Sequence, residues 1–93
     1  MEIESIDHKA LRNLIEKGRM KGVIEAGRVI DIIAFIVAAS GIDELGVPPN
    51  FGFHALAGNR KGVYAMTVTK NWRLTFTLAG DTAIADLDLE DYH

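Results

Sequence analysis

Three side chains at the end of the sequence, Asp91, Tyr92 and His93, can each hold or move a proton, and they follow directly on an alternating apolar and polar run. Either they are a frayed strand end or they belong to a site. Together with Arg73 and His54 they form a set suited to metal-independent cleavage of an RNA strand. That chemistry requires a base for the 2′-hydroxyl proton, a cation for the phosphorane-like transition state and an acid for the departing 5′-oxygen. Imidazole suits either proton transfer because it titrates at about 6.5. On residues alone this is one reading among several. His54, beside Phe51 and Phe53 at a strand start, equally suits a hydrogen-bonded structural role, and terminal side chains are often disordered.

Other chemistries find less support. Asp86, Asp88 and Glu90 in "DLDLED" alternate onto one strand face and superficially resemble an oxygen-ligand set for a hard cation. A solvated edge strand that resists edge-to-edge pairing explains them better. His8 follows Asp7, a helix cap, and reads as a solvated first-turn residue. The sequence has no cysteine, no Gly-rich phosphate cradle, no nucleophile elbow and no His-x-x-x-His spacing, so neither a metal nor a cofactor is expected.

The elements that must position this set divide the chain in two. "MEIESI" alternates as a short half-buried strand does. A helix is expected from His8 to Lys17, capped by Asp7 and ended by Gly18 in a left-handed conformation. A second is expected from Val23 to Ser40, with Ala26, Val29, Ile30, Ile33 and Val37 facing inward. Ile32, Phe35 and Ile36 then fall outside the stripe, covered by loops or offered to a partner. Pro48, Pro49 and Gly52 in "GIDELGVPPNFG" argue against regular helix there. "GVYAMTV" and "WRLTFTL", joined by "TKN", form a hairpin, and "AIADLDLEDY" a last strand. The fold class is α+β, a single domain over residues 1–93 with two N-terminal helices on one face of a largely antiparallel sheet. Strand alternation places Trp72, Leu74, Phe76 and Leu78 on one face and Arg73, Thr75 and Thr77 on the other. If the apolar set meets the helices, Arg73 stands on the open face. Asp91 and His93 share a side, with Tyr92 opposite.

The net charge of −3 hides a segregation. Residues Met1 to Arg73 hold ten basic and eight acidic side chains, whereas Leu74 to His93 hold five acids and no base. Between Leu45 and Gly80 the charges are Arg60, Lys61, Lys70 and Arg73, all positive. This is too weak a field to grip long nucleic acid unaided. The start lacks a secretory signal, no run of about 20 apolar residues exists to span a bilayer, and cysteine is absent, so a soluble cytoplasmic protein is expected.

Read together, "FHALAGNRKGVYAMTVTKNWRLTF" and the terminal "LEDYH" resemble the HigB branch of the RelE/ParE toxin superfamily, the plasmid maintenance killer proteins. The likeness extends over nearly the whole chain. It rests on a His-x-x-x-Gly-x-Arg-x-Gly run, Asn-Trp-Arg about ten residues on, and Asp-Tyr-His. The resemblance implies a RelE-like fold and a ribosome-dependent endoribonuclease that cuts messenger RNA in the decoding site. It further implies neutralisation by a HigA-type helix-turn-helix antitoxin, with operator DNA reached only through that antitoxin. By position, Arg73 falls to the scissile phosphate, His93 with His54 or Asp91 to proton transfer, and Tyr92 to stacking on a base. Arg60 and Lys61 would contact RNA, as would Lys9 and Arg12 within a cationic run that continues through Lys17, Arg19, Lys21 and Arg28.

One departure stands out. Relatives commonly read His-Pro-Leu-Lys-Gly where this chain has "HALAG", so Ala57 replaces a lysine able to contact phosphate. That substitution keeps open a rival reading, a ParE-like gyrase inhibitor or a decayed toxin that only binds its antitoxin, while the presence of both the Asn-Trp-Arg and the Asp-Tyr-His elements favours the nuclease.

Overall fold

The three alternating segments of the second half form β3 (Val63–Thr67), β4 (Trp72–Leu78) and β5 (Ala83–Asp91) in a computed structural model that describes residues 1–92. Two short strands, β1 (Glu2–Ile3) and β2 (His54–Ala55), complete a sheet of order β1-β5-β4-β3-β2. Every pairing is antiparallel except β1 with β5, which run parallel with Glu2 opposite Ala83.

Strand parity sorts the faces as the alternation predicts. Leu74 and Phe76 of β4 are buried, together with Met66 of β3 and Leu87 and Leu89 of β5. These meet Leu11 and Leu14 of α1 (Lys9–Lys17) and Val29, Ile32 and Ile36 of α2 (Ala26–Ala38) in one apolar cluster. Each such side chain contributes about 1.5–3 kcal/mol when fully buried. Strict alternation along β5 would put Ile84 on the same side as Asp86, Asp88 and Glu90. A bulge prevents this. The register shifts between Thr75 and Thr77, and Asp86 takes a left-handed φ of 53°, so Ile84 and Leu87 both face the core. The Ser5 hydroxyl accepts the Asp86 N–H at 2.7 Å and holds the bulge in place.

The helices depart from the sequence reading in three respects. His8, not Asp7, caps α1, its Nδ1 accepting the Leu11 N–H at 3.1 Å. The imidazole reaches a free N–H of the first turn as a serine would, so His8 is not merely a solvated side chain. Gly18 ends α1 at φ 69°, as expected. Second, α2 runs only from Ala26 to Ala38, because Glu25 before it is left-handed at φ 48° and Ala39 after it is extended.

Third, the inward stripe of α2 is Val29, Ile32 and Ile36, all fully buried, whereas Ile30 and Val37 are 40% and 54% exposed. The helix is rotated by roughly 80° from the expected setting, counting 3.6 residues per turn. A helix apolar nearly all round offers no stripe to read, so the sheet beneath it decides. Ile32 and Ile36 are therefore core and not a docking surface. Phe35 packs edge-on against Phe51 with centroids 5.5 Å apart. The segment with Pro48 and Pro49 is preceded by a helical turn, α3 (Ile42–Leu45), whose Leu45 joins the core. The C-terminal carbonyls of α2 accept from the Met1 ammonium, with Ile36 at 3.0 Å and Val37 at 2.9 Å, a favourable place for a cation.

Candidate active site

The face of the sheet away from the helices carries the residues of interest in two rows. Register places Thr67, Arg73 and Glu90 side by side across β3, β4 and β5. The next row is Ala65, Thr75 and Asp88, extended onto β2 by His54, which pairs with Ala65. Arg73 and His54 thus share the open face, separated by β3.

His54 owes its placement to its neighbour. Phe53 points to the core side and stacks on Tyr64 at 5.5 Å, which in turn lies 6.1 Å from Phe76. Alternation then turns His54 outward, where it is exposed. Its Nδ1 lies 2.8 Å from the Gly52 carbonyl oxygen. A carbonyl only accepts, so the ring donates from Nδ1, and in the neutral imidazole Nε2 keeps the lone pair a base needs.

Arg73 leans toward the β3–β4 turn. Its Nη1 donates to the carbonyls of Thr69 at 2.6 Å and of Lys70 and Trp72 at 3.2 Å. Its guanidinium carbon lies 5.1 Å from the centre of the Tyr92 ring, a cation–π contact. The buried Nε has no hydrogen-bond partner among the described residues. Tyr92 itself is anchored through its backbone N–H, which donates to the Asn71 carbonyl. Asp91 pairs in register with Trp72 and so belongs to the opposite parity from Arg73 and Tyr92. His93 lies outside the described residues.

Arg60 is engaged in a way the sequence does not announce. It ends a 3-10 turn, Gly58–Arg60, and its Nη1 and Nη2 donate to the two carboxylate oxygens of Glu90 at 2.8 Å each. The Thr75 hydroxyl, buried beneath them, donates to the same carboxylate. The hydrogen bond from Arg60, opposed by burial and reinforced by Thr75, holds the Glu90 carboxyl below the usual range, and the same bond raises the Arg60 guanidinium. Glu90 and Thr75 are the site residues that sequence reasoning missed. The available signal was the alternation of "DLDLED", which places Glu90 beside Arg73 once the register is known.

The remaining candidates lie elsewhere. Lys61 is exposed just beyond the 3-10 turn, and Lys9 and Arg12 lie on α1 in the helix layer. Arg12 donates to the Ile6 carbonyl at 2.7 Å. Arg28 is tied to the end of β3 through the Val68 carbonyl at 2.8 Å and lies over the Phe51 ring. The Arg60–Glu90 pair lines a cleft of about 290 Å³ on the open face, whose other charged residues are Asp7, Asp86 and Asp88. Among the described residues no group of three or more acidic or imidazole side chains is arranged to hold a metal ion, and no helix is long and apolar enough to cross a membrane.

A five-stranded, mostly antiparallel sheet backed by helices is the architecture expected of a RelE-like fold. Over residues 4–93 the chain matches the family described as RelE-like toxin of type II toxin-antitoxin system HigB, and it belongs to that family. It is also 40% identical over 94 residues, covering 98% of this chain and 99% of the relative, to the Endoribonuclease HigB of Proteus vulgaris.

Proposed function

We propose that this protein is an endoribonuclease toxin that cleaves messenger RNA in the ribosomal decoding site and is neutralised by a HigA-type antitoxin. The observation that carries this reading is the Arg73 guanidinium 5.1 Å from the Tyr92 ring on the face that also bears His54. Family membership and the activity named for the Proteus vulgaris relative support it.

In this reading Arg73 binds the scissile phosphate and Tyr92 stacks on a neighbouring base. A base removes the 2′-hydroxyl proton, the freed oxygen attacks phosphorus, and an acid protonates the departing 5′-oxygen. The products are a 2′,3′-cyclic phosphate and a 5′-hydroxyl. His54, with Nε2 available, suits one proton transfer and His93 the other, while the strand parity of Asp91, opposite to that of Arg73, turns it away from a direct role. No step requires a metal. The acidic cleft of Asp7, Asp86 and Asp88 disfavours phosphate, which directs the strand toward the Arg73 end. Lys61 contacts the message, while Lys9 and Arg12 on the helix layer meet ribosomal RNA. A chain of net charge −3 binds free RNA weakly, so the ribosome presents the message, and the cytoplasm is the setting.

The competing reading, a gyrase-directed or purely antitoxin-binding protein on the same fold, draws on Ala57 and on the commitment of Arg60 to Glu90, which together leave fewer cations for phosphate. Mapping cuts on translated message decides between them. Cleavage by the parent, lost by on the order of 10²–10³-fold in Arg73→Ala and in a His93 deletion, supports the nuclease. Undiminished cutting by either variant overturns the site, and gyrase inhibition with intact message overturns the function.

A further inference from the structure

Glu90 is the direct cross-strand neighbour of Arg73, yet its carboxylate is not bound to it. Opposite charges facing each other across a strand pair ordinarily attract. Here the carboxylate is turned away and held by three bonds, two from the Arg60 fork and one from the Thr75 hydroxyl. Arg60 reaches it from the turn between β2 and β3, so its side chain must fold back over the open face to meet a strand on the far side of β4. Thr75 and Ala65 lie buried on this face. The Arg73 guanidinium, meanwhile, bonds only to backbone carbonyls and the Tyr92 ring among the described residues.

We propose that Arg60 and Thr75 are positioning residues that hold the Glu90 carboxylate away from Arg73, so that the Arg73 guanidinium keeps its charge for a phosphate. This rests on the nuclease reading above and assigns Arg60 a task different from direct RNA contact. A bidentate guanidinium–carboxylate pair uses the same fork that would bind a phosphodiester, so Arg60 cannot serve both ligands at once. Remove Arg60, and Glu90 is left with one hydroxyl and, opposite it, a guanidinium that bonds only to neutral groups among the described residues. It then rotates to Arg73 and occupies the phosphate position as an internal anion.

The test is a rescue. Arg60→Ala should lower message cleavage on programmed ribosomes by on the order of 10²-fold, mainly through KM, because the captured arginine no longer binds phosphate. Adding Glu90→Gln to it should recover at least a tenth of the parent rate. A structural role for the pair predicts only that rates follow stability, because Glu90→Gln also relieves the unpaired carboxylate; cleavage is therefore compared under conditions in which urea titration shows all three proteins fully folded, where recovery cannot come from restored folding. A double variant no more active than Arg60→Ala overturns the proposal, as does an Arg60→Ala protein that cleaves like the parent. Arg60→Met replaces Arg60→Ala if the latter does not fold. The ¹⁵N resonance of Arg73 Nε gives a reading independent of cleavage. It should move in Arg60→Ala and return toward the parent position in the double variant. No movement overturns the proposal even if the parent cuts message. Movement and return with no cutting by the parent leaves the arrangement standing and sinks the nuclease reading instead.

Discussion

Replacing Glu90 with glutamine should cost stability at neutral pH and cost almost nothing in acid. The substitution keeps the shape of the side chain and removes its charge. The pair it weakens has two contacts of 2.8 Å and lies between surface and interior, with side-chain exposures of 40% for Arg60 and 25% for Glu90. Fully exposed pairs contribute at most about 1 kcal/mol, whereas hydrogen bonds to charged groups contribute about 1.5–3 kcal/mol. The amide still accepts one guanidinium N–H but opposes the other with its own donor, so a loss of about 1–2 kcal/mol is expected. For a chain of 93 residues with an unfolding entropy of about 2.1 cal/mol/K per residue, that is a fall in Tm of about 5–10 °C. The folded Glu90 carboxyl sits below its unfolded value of about 4.3. Its contribution is therefore complete above that value and is lost as pH falls through the folded one. Urea unfolding at pH 7, 5, 4 and 3 should show parent and variant converging below about pH 4. A difference that stays constant from pH 7 to pH 3, or grows in acid, refutes the coupling.

Two further substitutions test the helix settings. Ile36→Ala should destabilise by about 2–5 kcal/mol because the side chain is fully buried, whereas Val37→Ala should cost under about 0.5 kcal/mol, as measured by urea titration; equal costs would mean that α2 faces the other way. His8→Ala should lose about 1 kcal/mol with the α1 cap, Asp7→Ala much less, and His8→Ser should restore most of the loss.

How much was legible depends on whether local pattern or long-range register decided the matter. The alternation of "WRLTFTL" was enough to put Arg73 on the open face, because burying Leu74 and Phe76 leaves it no other side. The parity of the last residues was equally plain, but which of them met Arg73 was not. That required the pairing of Trp72 with Asp91, which follows from the bulge at Asp86. The Arg60–Glu90 pair joins residues 30 positions apart and leaves no trace in spacing. The face of α2 was unreadable for the opposite reason, since nearly every residue from Val29 to Ala38 is apolar and periodicity carries no contrast.

The bulge has a consequence for the site that goes beyond sorting the core. Along the first half of β5 the neighbours are β1 and β4, with Ile6 bridging to Leu87, so this stretch is held on both sides. Past Leu87 the strand continues on β4, through Leu89 opposite Leu74 and Asp91 opposite Trp72, and the Tyr92 N–H closes onto Asn71. One inserted residue therefore does two things: it turns Leu87 and Leu89 inward, and it brings Glu90 and Tyr92 to the same side as Arg73. Without it the acids of β5 would face the core, where burying an unpaired carboxylate costs several kcal/mol. The conformation that allows the core to close is the one that assembles the arginine and the aromatic ring, so a substitution that straightens the strand at Asp86 disturbs the core and the proposed phosphate site together.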